Sequence, residues 1–350
     1  MSLINIISVP TSSGIKTIEI HNTDITNLEW DVDIIVVSAY HQSYYPANGT
    51  VIKALEENKG INFLELANNS ELDLRVPLGC WLSKKIEAIG NGRILCVEGI
   101  KNNIKNSGGS DDALSNLFGT IALLSHKNVK SAKIAMPLLG TGFQGNEIEK
   151  VLPFLVEKAL NTLMNVNAIN TIYFVEIDSE RVKQIDDTIN NHLQREYDKL
   201  ESVFDDDSLV QLFEGVISKL LLVKSTNSRF SKSNTLNNLI SKILRKELRF
   251  YELGILSRKT VELLVKEISG LPESKIYTLI DHINELRSKN VADWMINYMH
   301  TLRVFGNSVA HEGVETTFPN HMEKTDMLVF AHAFSRFLDF YIEYREDKKI

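Results

Sequence analysis

The sequence predicts a protein in two parts, an N-terminal α/β domain followed by an all-α domain. Between Ile4 and Ile177, short apolar runs typical of strands alternate with helical stretches. That alternation predicts a three-layer α/β/α domain with a mostly parallel sheet. After about Asp178 the pattern becomes helical, with apolar residues at helical spacing, as at Ile240, Ile243, Leu244 and Leu248.

The length of the chain supports this division. At 350 residues it is too long for one small core, and two domains are the natural expectation. A stretch rich in Ser, Asn and Lys precedes the last helical region. We therefore predict an α/β domain over residues 1–190, a helical connector over 191–235 and an all-α domain over 236–350.

The individual elements follow from apolar runs and their flanking turn residues. The predicted strands are Ile4–Val9, Thr17–His21, Ile34–Ser38, Ile94–Glu98, Lys133–Met136 and Thr171–Glu176. The predicted helices of the same domain are Thr50–Asn58, Ala113–Ser125 and Glu147–Leu163.

Composition excludes several classes of protein. The net charge of −7 gives no bulk attraction to nucleic acid. The two cysteines, Cys80 and Cys96, lack metal-type spacing and are interpreted as buried thiols in a reducing compartment. No secretory leader and no membrane-spanning apolar run is evident. We expect a soluble, cytoplasmic protein that binds no membrane and no metal.

A glycine-rich stretch over residues 136–145 (MPLLGTGFQG) is the most informative feature. An apolar run ends at a proline, three glycines follow within six positions, and a helix begins. Glycine lets the backbone approach a ligand closely, and the free N–H groups at a helix N-terminus favour a phosphate. The stretch predicts an anion site, although an ordinary strand-to-helix turn also uses glycine.

Four segments in order resemble the macro domain, an ADP-ribose-binding α/β/α module. They are residues 18–26 (IEIHNTDIT), 32–39 (VDIIVVSA), the loop and helix that follow at 44–58, and the glycine-rich stretch. The resemblance covers roughly residues 15–190. It implies an ADP-ribose or NAD-derived nucleotide as the ligand, with no other cofactor.

The resemblance also implies which residues bind that nucleotide. The carboxylate of Asp24 would accept a hydrogen bond from the adenine amino group, beside the Ile25 backbone; Asp24 also suits a simple turn. The loop before the first helix and the glycine-rich stretch would hold the phosphates and the distal ribose. Thr50, in the first of these loops, is equally suited to be a plain N-cap. The remaining expected ligand-binding residues are Ser38, Ala39, Asn48, Gly49, Thr50, Val51, Leu139, Gly140, Thr141, Gly142, Phe143, Gln144 and Gly145.

The chain departs from family members that remove ADP-ribose. They carry two asparagines where this sequence has Ser38 and His41, and their acidic residue after the first loop is absent from 50–52. Hydrolysis needs that geometry to position the ribose and a water, so we predict binding without hydrolysis. His41 remains an alternative base. Tyr40, Tyr44 and Tyr45 are candidates for the mouth of the site, and at least one is expected to be packed.

Residues 298–311 (YMHTLRVFGNSVAH) resemble a helical domain of unknown function found in bacterial defence proteins and related to the HEPN superfamily. Catalytic HEPN members are RNases with Arg and His on one helix face, which makes Arg303, Asn307 and His311 candidates. Arg303 and His311 are eight positions apart, an offset of about 80°. The alternatives are that Arg303 and Asn307 bridge helices, and that the domain forms a dimer or binds a partner protein.

The sequence therefore predicts a sensor or effector that binds an ADP-ribose-type nucleotide, coupled to a helical output domain in bacterial anti-phage defence. Two enzymatic alternatives remain. The first is an enzyme acting on the nucleotide, either an ADP-ribosyl hydrolase or an NAD hydrolase. The second is a ligand-gated HEPN-type ribonuclease, for which RNA would be a partner.

Overall fold

The computed structural model describes residues 2–11, 14–28, 30–99, 109–127, 129–141, 146–193, 195, 207–272, 275, 277–310 and 324–348. The chain divides into two compact units. The α/β unit comprises residues 1–9 and 16–192. The helical unit comprises residues 10–15 and 193–350, so it is discontinuous in sequence.

One eight-stranded sheet forms the centre of the α/β unit, in the order β1-β2-β8-β7-β3-β6-β5-β4. The pairs β2–β8, β8–β7, β7–β3 and β3–β6 are parallel, whereas the pairs β6–β5 and β5–β4 are antiparallel. The strands are β1 (Ser2–Thr11), β2 (Gly14–Asn22), β3 (Ile34–Tyr40), β4 (Leu72–Leu74), β5 (Cys80–Leu82), β6 (Arg93–Gly99), β7 (Lys133–Pro137) and β8 (Thr171–Glu176).

All six predicted strands are present, each within four residues of its expected bounds. The three predicted helices are also confirmed, with small shifts at their ends. The helices of this unit are α1 (Val51–Lys59), α2 (Phe63–Asn68), α3 (Arg75–Leu78), α4 (Gly109–His126), α5 (Ile148–Asn165) and α6 (Val182–His192). The predicted fold class, a largely parallel α/β domain followed by an all-α region, is confirmed.

The sheet owes its stability to continuous apolar strands buried on both faces, as parallel sheets require. Residues Ile34–Val37 of β3 are all fully or nearly fully buried. The buried amine of Lys16 on β2, only 2% exposed, donates to the carbonyls of Leu163 and Val166 at 2.8 and 2.7 Å. It therefore caps the C-terminal end of α5, where carbonyls lack helical partners.

The named elements from residue 207 to 348 are helices or single helical turns. The helices are α7 (Asp207–Thr226), α8 (Ser228–Ser231), α9 (Asn234–Leu244), α10 (Phe250–Ser269), α11 (Leu279–Glu285), α12 (Asp293–Ala310) and α13 (Lys324–Lys348). None of the helices in the described part is long and apolar enough to cross a membrane.

The helical unit is tied together by α7 and α13, and by α10 and α12. Lys219 of α7 pairs with Asp339 of α13 at 2.7 Å and donates to Ser335. Residues 207–235, within the span predicted as a connector, thus pack as part of this unit. The predicted functional division at residues 190 and 235 stays a prediction.

The short segment 10–15 completes the helical unit. The backbone N–H of Ile15 donates to the Glu262 carboxylate on α10 at 3.1 Å. Gly14 has φ +125°, and a Cβ there would lie 2.2 Å from a Glu262 oxygen. The positive φ therefore favours glycine at this position.

Candidate functional site

Three of the predicted ligand-binding segments follow strands that end at the same edge of the sheet. Residues 24–25 follow β2, residues 38–39 end β3, and residues 139–141 follow β7. These strands are parallel, and only β8 separates β2 from β7. After β7 the chain crosses to β8, on one side of the β7–β3 pair. After β3 it crosses to β4, β5 and β6, on the other side of that pair. The carboxyl ends of β7 and β3 thus flank a switch point, where open α/β sheets bind their ligands.

Asp24 forms a tight turn directly after β2. Its Oδ1 accepts the Thr26 N–H at 2.8 Å, and its carbonyl accepts the N–H of Asn27. Asn58 of α1 donates to the Thr26 hydroxyl at 2.9 Å, which links this turn to α1. The side chain of Asp24 is half-buried, and in the described part of the chain the turn uses only one of its carboxylate oxygens.

The first loop leads into the N-terminus of α1. Thr50 is the N-cap, accepting from the Lys53 N–H at 3.2 Å and donating to the Ala47 carbonyl at 2.7 Å. Gly49 has φ +77°. The amides of Val51 and Ile52 precede the first helical hydrogen bond, so they are available at this edge.

A cation lies beside the same loop, and sequence reasoning had not singled it out. The amine of Lys53, half-buried, donates to the Asn48 side-chain carbonyl and lies 3.5 Å from Glu57. This amine and the positive end of the α1 dipole lie beside the first loop.

Several of these residues share one hydrophobic cluster. Ile25 and Ile52 are buried in it, and Ala39 and Val51 pack against it. The structure therefore brings the Asp24–Ile25 turn, the end of β3 and the start of α1 together. Ser38 is exposed.

The second loop leaves β7 through two buried leucines and a left-handed glycine. Leu139 is buried, and Gly140 has φ +88°. The Gly140 carbonyl accepts both the backbone and the side-chain N–H groups of Asn146, at 3.3 and 3.0 Å. The Thr141 hydroxyl donates a hydrogen bond to the Leu138 carbonyl at 2.8 Å. The predicted residues Gly142, Phe143, Gln144 and Gly145 lie outside the described residues.

This loop ends at the N-terminus of α5. Its N-cap, Glu147, makes no side-chain capping hydrogen bond, and its side chain pairs with Lys150 at 2.7 Å. The Lys150 N–H donates to the Glu147 carbonyl at 3.2 Å, which leaves the Ile148 amide at the start of α5 for an anion.

A buried carboxylate, which the sequence did not reveal, organises the end of β3. Glu98 of β6 is 4% exposed and pairs with Ala39 across the sheet. Its Oε2 accepts the Gln42 N–H and lies 3.1 Å from His41 Nδ1. The ring of His41 is thus oriented by a carboxylate, although its side chain is 37% exposed.

Tyr44 and Arg75 complete this network. The Tyr44 hydroxyl donates to Glu98, and Arg75 approaches that hydroxyl at 3.5 Å while pairing with Asp73. Burial and the hydrogen bond to Glu98 raise the pKa of Tyr44 well above its usual value. Tyr44 also packs edge-on against Trp81, which confirms that one tyrosine of the trio is packed. Tyr40 and Tyr45 are 51% and 79% exposed.

The candidates in the helical unit are only partly described. Arg303 is half-buried on α12. Asn307 lies on the same helix, but its side chain, like all of His311, lies outside what the structure describes. The described residues contain no group of three His, Cys, Asp or Glu side chains placed to hold a metal.

The chain resembles solved macrodomains only distantly. A macrodomain from Oceanobacillus iheyensis, the G37V mutant with ADPR, is 18% identical, and the match covers 55% of this chain and all of that one (TM-score 0.44). The macrodomain of Trypanosoma brucei in complex with ADP-ribose is 19% identical, with 49% of this chain and 68% of that one covered (TM-score 0.39).

No protein-family model matches the chain. No curated protein matches it either.

Proposed function

We propose that the α/β unit binds an ADP-ribose-type nucleotide at the carboxyl edge of its sheet and acts as a sensor. The observation that carries this proposal is the convergence of the Asp24 turn and two loop-to-helix junctions beside the β7–β3 switch point. Crevices of this kind hold nucleotides because strand ends and helix N-termini direct N–H groups toward them.

Each part of the edge offers a group that matches one part of the ligand. The second carboxylate oxygen of Asp24 accepts from the adenine amino group. The free amides of α1 and α5, with the Lys53 amine, hold the diphosphate. Both loops contain glycines with positive φ, Gly49 and Gly140, where the backbone comes close to the ligand without a Cβ.

Titration calorimetry of the whole protein with ADP-ribose, NAD and cyclic ADP-ribose tests this proposal. The informative variant is Asp24→Asn, because an asparagine oxygen still accepts the Thr26 N–H and keeps the turn. It removes the negative charge that would meet the adenine amine. Loss of one charge-assisted hydrogen bond weakens binding about tenfold or more.

The matched control is Asp281→Asn in the helical unit, whose carboxylate also accepts a backbone N–H, that of Thr278 at 2.7 Å. It is expected to leave nucleotide binding unchanged. Absence of binding to all three nucleotides contradicts the proposal, as does equal weakening by both variants.

A second candidate function, an enzyme acting on the bound nucleotide, is favoured by the His41–Glu98 contact. If Nδ1 carries the proton donated to Glu98, Nε2 is free to accept a proton from water. Attack of that water on the glycosidic carbon would break the bond to the leaving group, which departs with a proton. This arrangement replaces the asparagines that the chain lacks.

Chromatography of ADP-ribosylated protein or NAD after incubation with the chain distinguishes the two functions. Turnover that falls at least about 100-fold in His41→Phe, with ADP-ribose affinity retained, makes the protein an enzyme. Binding without any product leaves the sensor function.

We also propose that the helical unit is a dimerising output module in anti-phage defence. The support is the resemblance of residues 298–311 to domains of defence proteins. Sedimentation of the whole protein with and without ADP-ribose tests the dimer, and a monomer under both conditions contradicts it. Infection of cells that carry the gene or lack it tests the defence role.

A further inference from the structure

Two arginines from different helices lie near enough to interact electrostatically where α10 and α12 cross. Arg258 lies on α10 and Arg303 on α12, and Gly306 lets the helices approach closely. A Cβ at Gly306 would lie 2.6 Å from the Arg258 Cβ and 2.9 Å from the Gly254 carbonyl oxygen. The Arg258 side chain therefore begins inside the helix contact and is not a surface group.

Part of the Arg258 guanidinium is buried without a hydrogen-bond partner among the described residues. The residue is 7% exposed, and its Nε and Nη1 atoms have no hydrogen-bond partner in the described part of the protein. The same holds for Nε of Arg303. Both guanidinium groups therefore retain buried donors that no described residue uses.

The nearest acid does not satisfy these donors. Glu262 of α10 lies one helical turn from Arg258, but its carboxylate is engaged by the Lys266 amine at 2.7 Å and by the Ile15 N–H at 3.1 Å. Its charge is already matched by that lysine, so the arginine pair keeps a net positive charge.

Burial and the charge of Arg303 both lower the pKa values of two groups at this helix crossing. Burial, only partly offset by Glu262 and reinforced by Arg303, lowers the pKa of Arg258 to about 10. Burial and then Arg303 lower the pKa of His300, one turn before Arg303 on α12. Arginine stays charged at neutral pH, and burying a cation without a partner carries a large free-energy penalty.

We infer that Arg258 and Arg303 form a binding site for a phosphoryl group in the helical unit. A phosphoryl group carries about one negative charge in a diester and close to two in a monoester, and in both cases its acceptor oxygens can meet two guanidinium forks that approach from two helices. A single carboxylate offers one charge and fills one fork. The phosphoryl group belongs either to a small phosphorylated molecule or to the backbone of RNA.

This site is separate from the nucleotide site proposed for the α/β unit. It uses no residue of the sheet edge, and it does not require the hydrolytic role considered for His311. Failure of ADP-ribose binding therefore leaves it untouched, and its own failure leaves the sensor proposal untouched.

Binding of two probes to the whole protein tests the inference. The probes are inorganic pyrophosphate, followed by calorimetry, and a fluorescent ten-nucleotide single-stranded RNA, followed by anisotropy. The variants are Arg258→Met and Arg303→Met, which keep an unbranched apolar stem but remove the charged guanidinium. The control is Arg245→Met, an exposed arginine of the same unit that pairs with Glu247.

Both site variants are expected to weaken binding about tenfold or more, while Arg245→Met binds like the unaltered protein. Arg258→Met should also melt at or above the temperature of the unaltered protein, because methionine fills the space without an unpaired charge. A purely structural arginine would lower the melting temperature when replaced.

The two probes also identify the source of the phosphoryl group. Pyrophosphate binding without RNA binding indicates a small ligand, and RNA binding indicates a nucleic-acid backbone. Absence of binding to either probe overturns the inference. An equal loss in Arg245→Met, or unchanged binding in both site variants, overturns it as well.

Discussion

Replacing Gly306 by alanine should destabilise the helical unit, although alanine normally favours helices. Gly306 lies inside α12, where the change from glycine gains about 1 kcal/mol in helix propensity. The new Cβ would lie 2.6 Å from the Arg258 Cβ and 2.9 Å from the Gly254 carbonyl oxygen. Comfortable carbon contacts are about 3.5–4.0 Å, and the oxygen belongs to backbone that cannot rotate away.

Overpacking of this kind typically costs about 1–3 kcal/mol. Gly215, inside α7 of the same unit, supplies the control because a Cβ there meets nothing within 4 Å. Both variants gain the same propensity term, so the difference between their free energies of unfolding isolates the steric cost. We expect Gly215→Ala to be up to about 1 kcal/mol more stable than the unaltered protein, and Gly306→Ala to lie about 1–3 kcal/mol below Gly215→Ala.

Equilibrium urea denaturation followed by circular dichroism measures both values. The transition of the helical unit is fitted separately if the two units unfold apart. Equal stabilisation by the two alanines would refute the close crossing of α10 and α12, and with it the enclosed position of Arg258.

Three further predictions concern buried groups. The pKa values of three of the ten tyrosines, Tyr44, Tyr173 and Tyr341, are raised. These three should stay un-ionised at pH 10–11 in an ultraviolet titration of the folded protein. The stability they contribute is present below the unfolded pKa near 10 and is lost as pH rises above it. Burial raises the pKa of Cys80 to about 11 and raises that of Cys96 well above its usual value, so a thiol reagent should label neither at pH 8 until the protein is denatured; rapid native labelling would contradict their burial. Lys16→Met leaves two carbonyls at the end of α5 without their donor and should lower stability by about 2 kcal/mol; an unchanged melting curve would mean that this cap is dispensable.

The sequence was most informative where one local pattern decided the structure. The continuous apolar run Ile34–Val37 predicts a buried parallel strand, and the structure contains it. The proline that ends β7 and the glycines that follow it likewise predict the end of a strand and the start of a helix. The strands β4 and β5 were missed because three residues each, Leu72–Leu74 and Cys80–Leu82, are too short to show a period.

Parts of the site depend on contacts that no local pattern contains. Glu98 is an ordinary end of an apolar strand in the sequence, yet it binds Gln42 and Tyr44, which are 56 and 54 positions away. The resemblance directed attention to His41 but not to the carboxylate behind it. Arg258 was overlooked for the same reason, because its burial depends on Gly306 in another helix.

The discontinuity of the helical unit constrains how this protein can be divided. The chain passes between the units three times, at residues 9–10, 15–16 and 192–193. A fragment starting at residue 193 would lack the Ile15 N–H that binds Glu262, and would leave that carboxylate with Lys266 alone. A single break in the chain therefore cannot separate the two units. A gene fusion that transfers the helical unit must also transfer segment 10–15, or supply another donor for the Glu262 carboxylate.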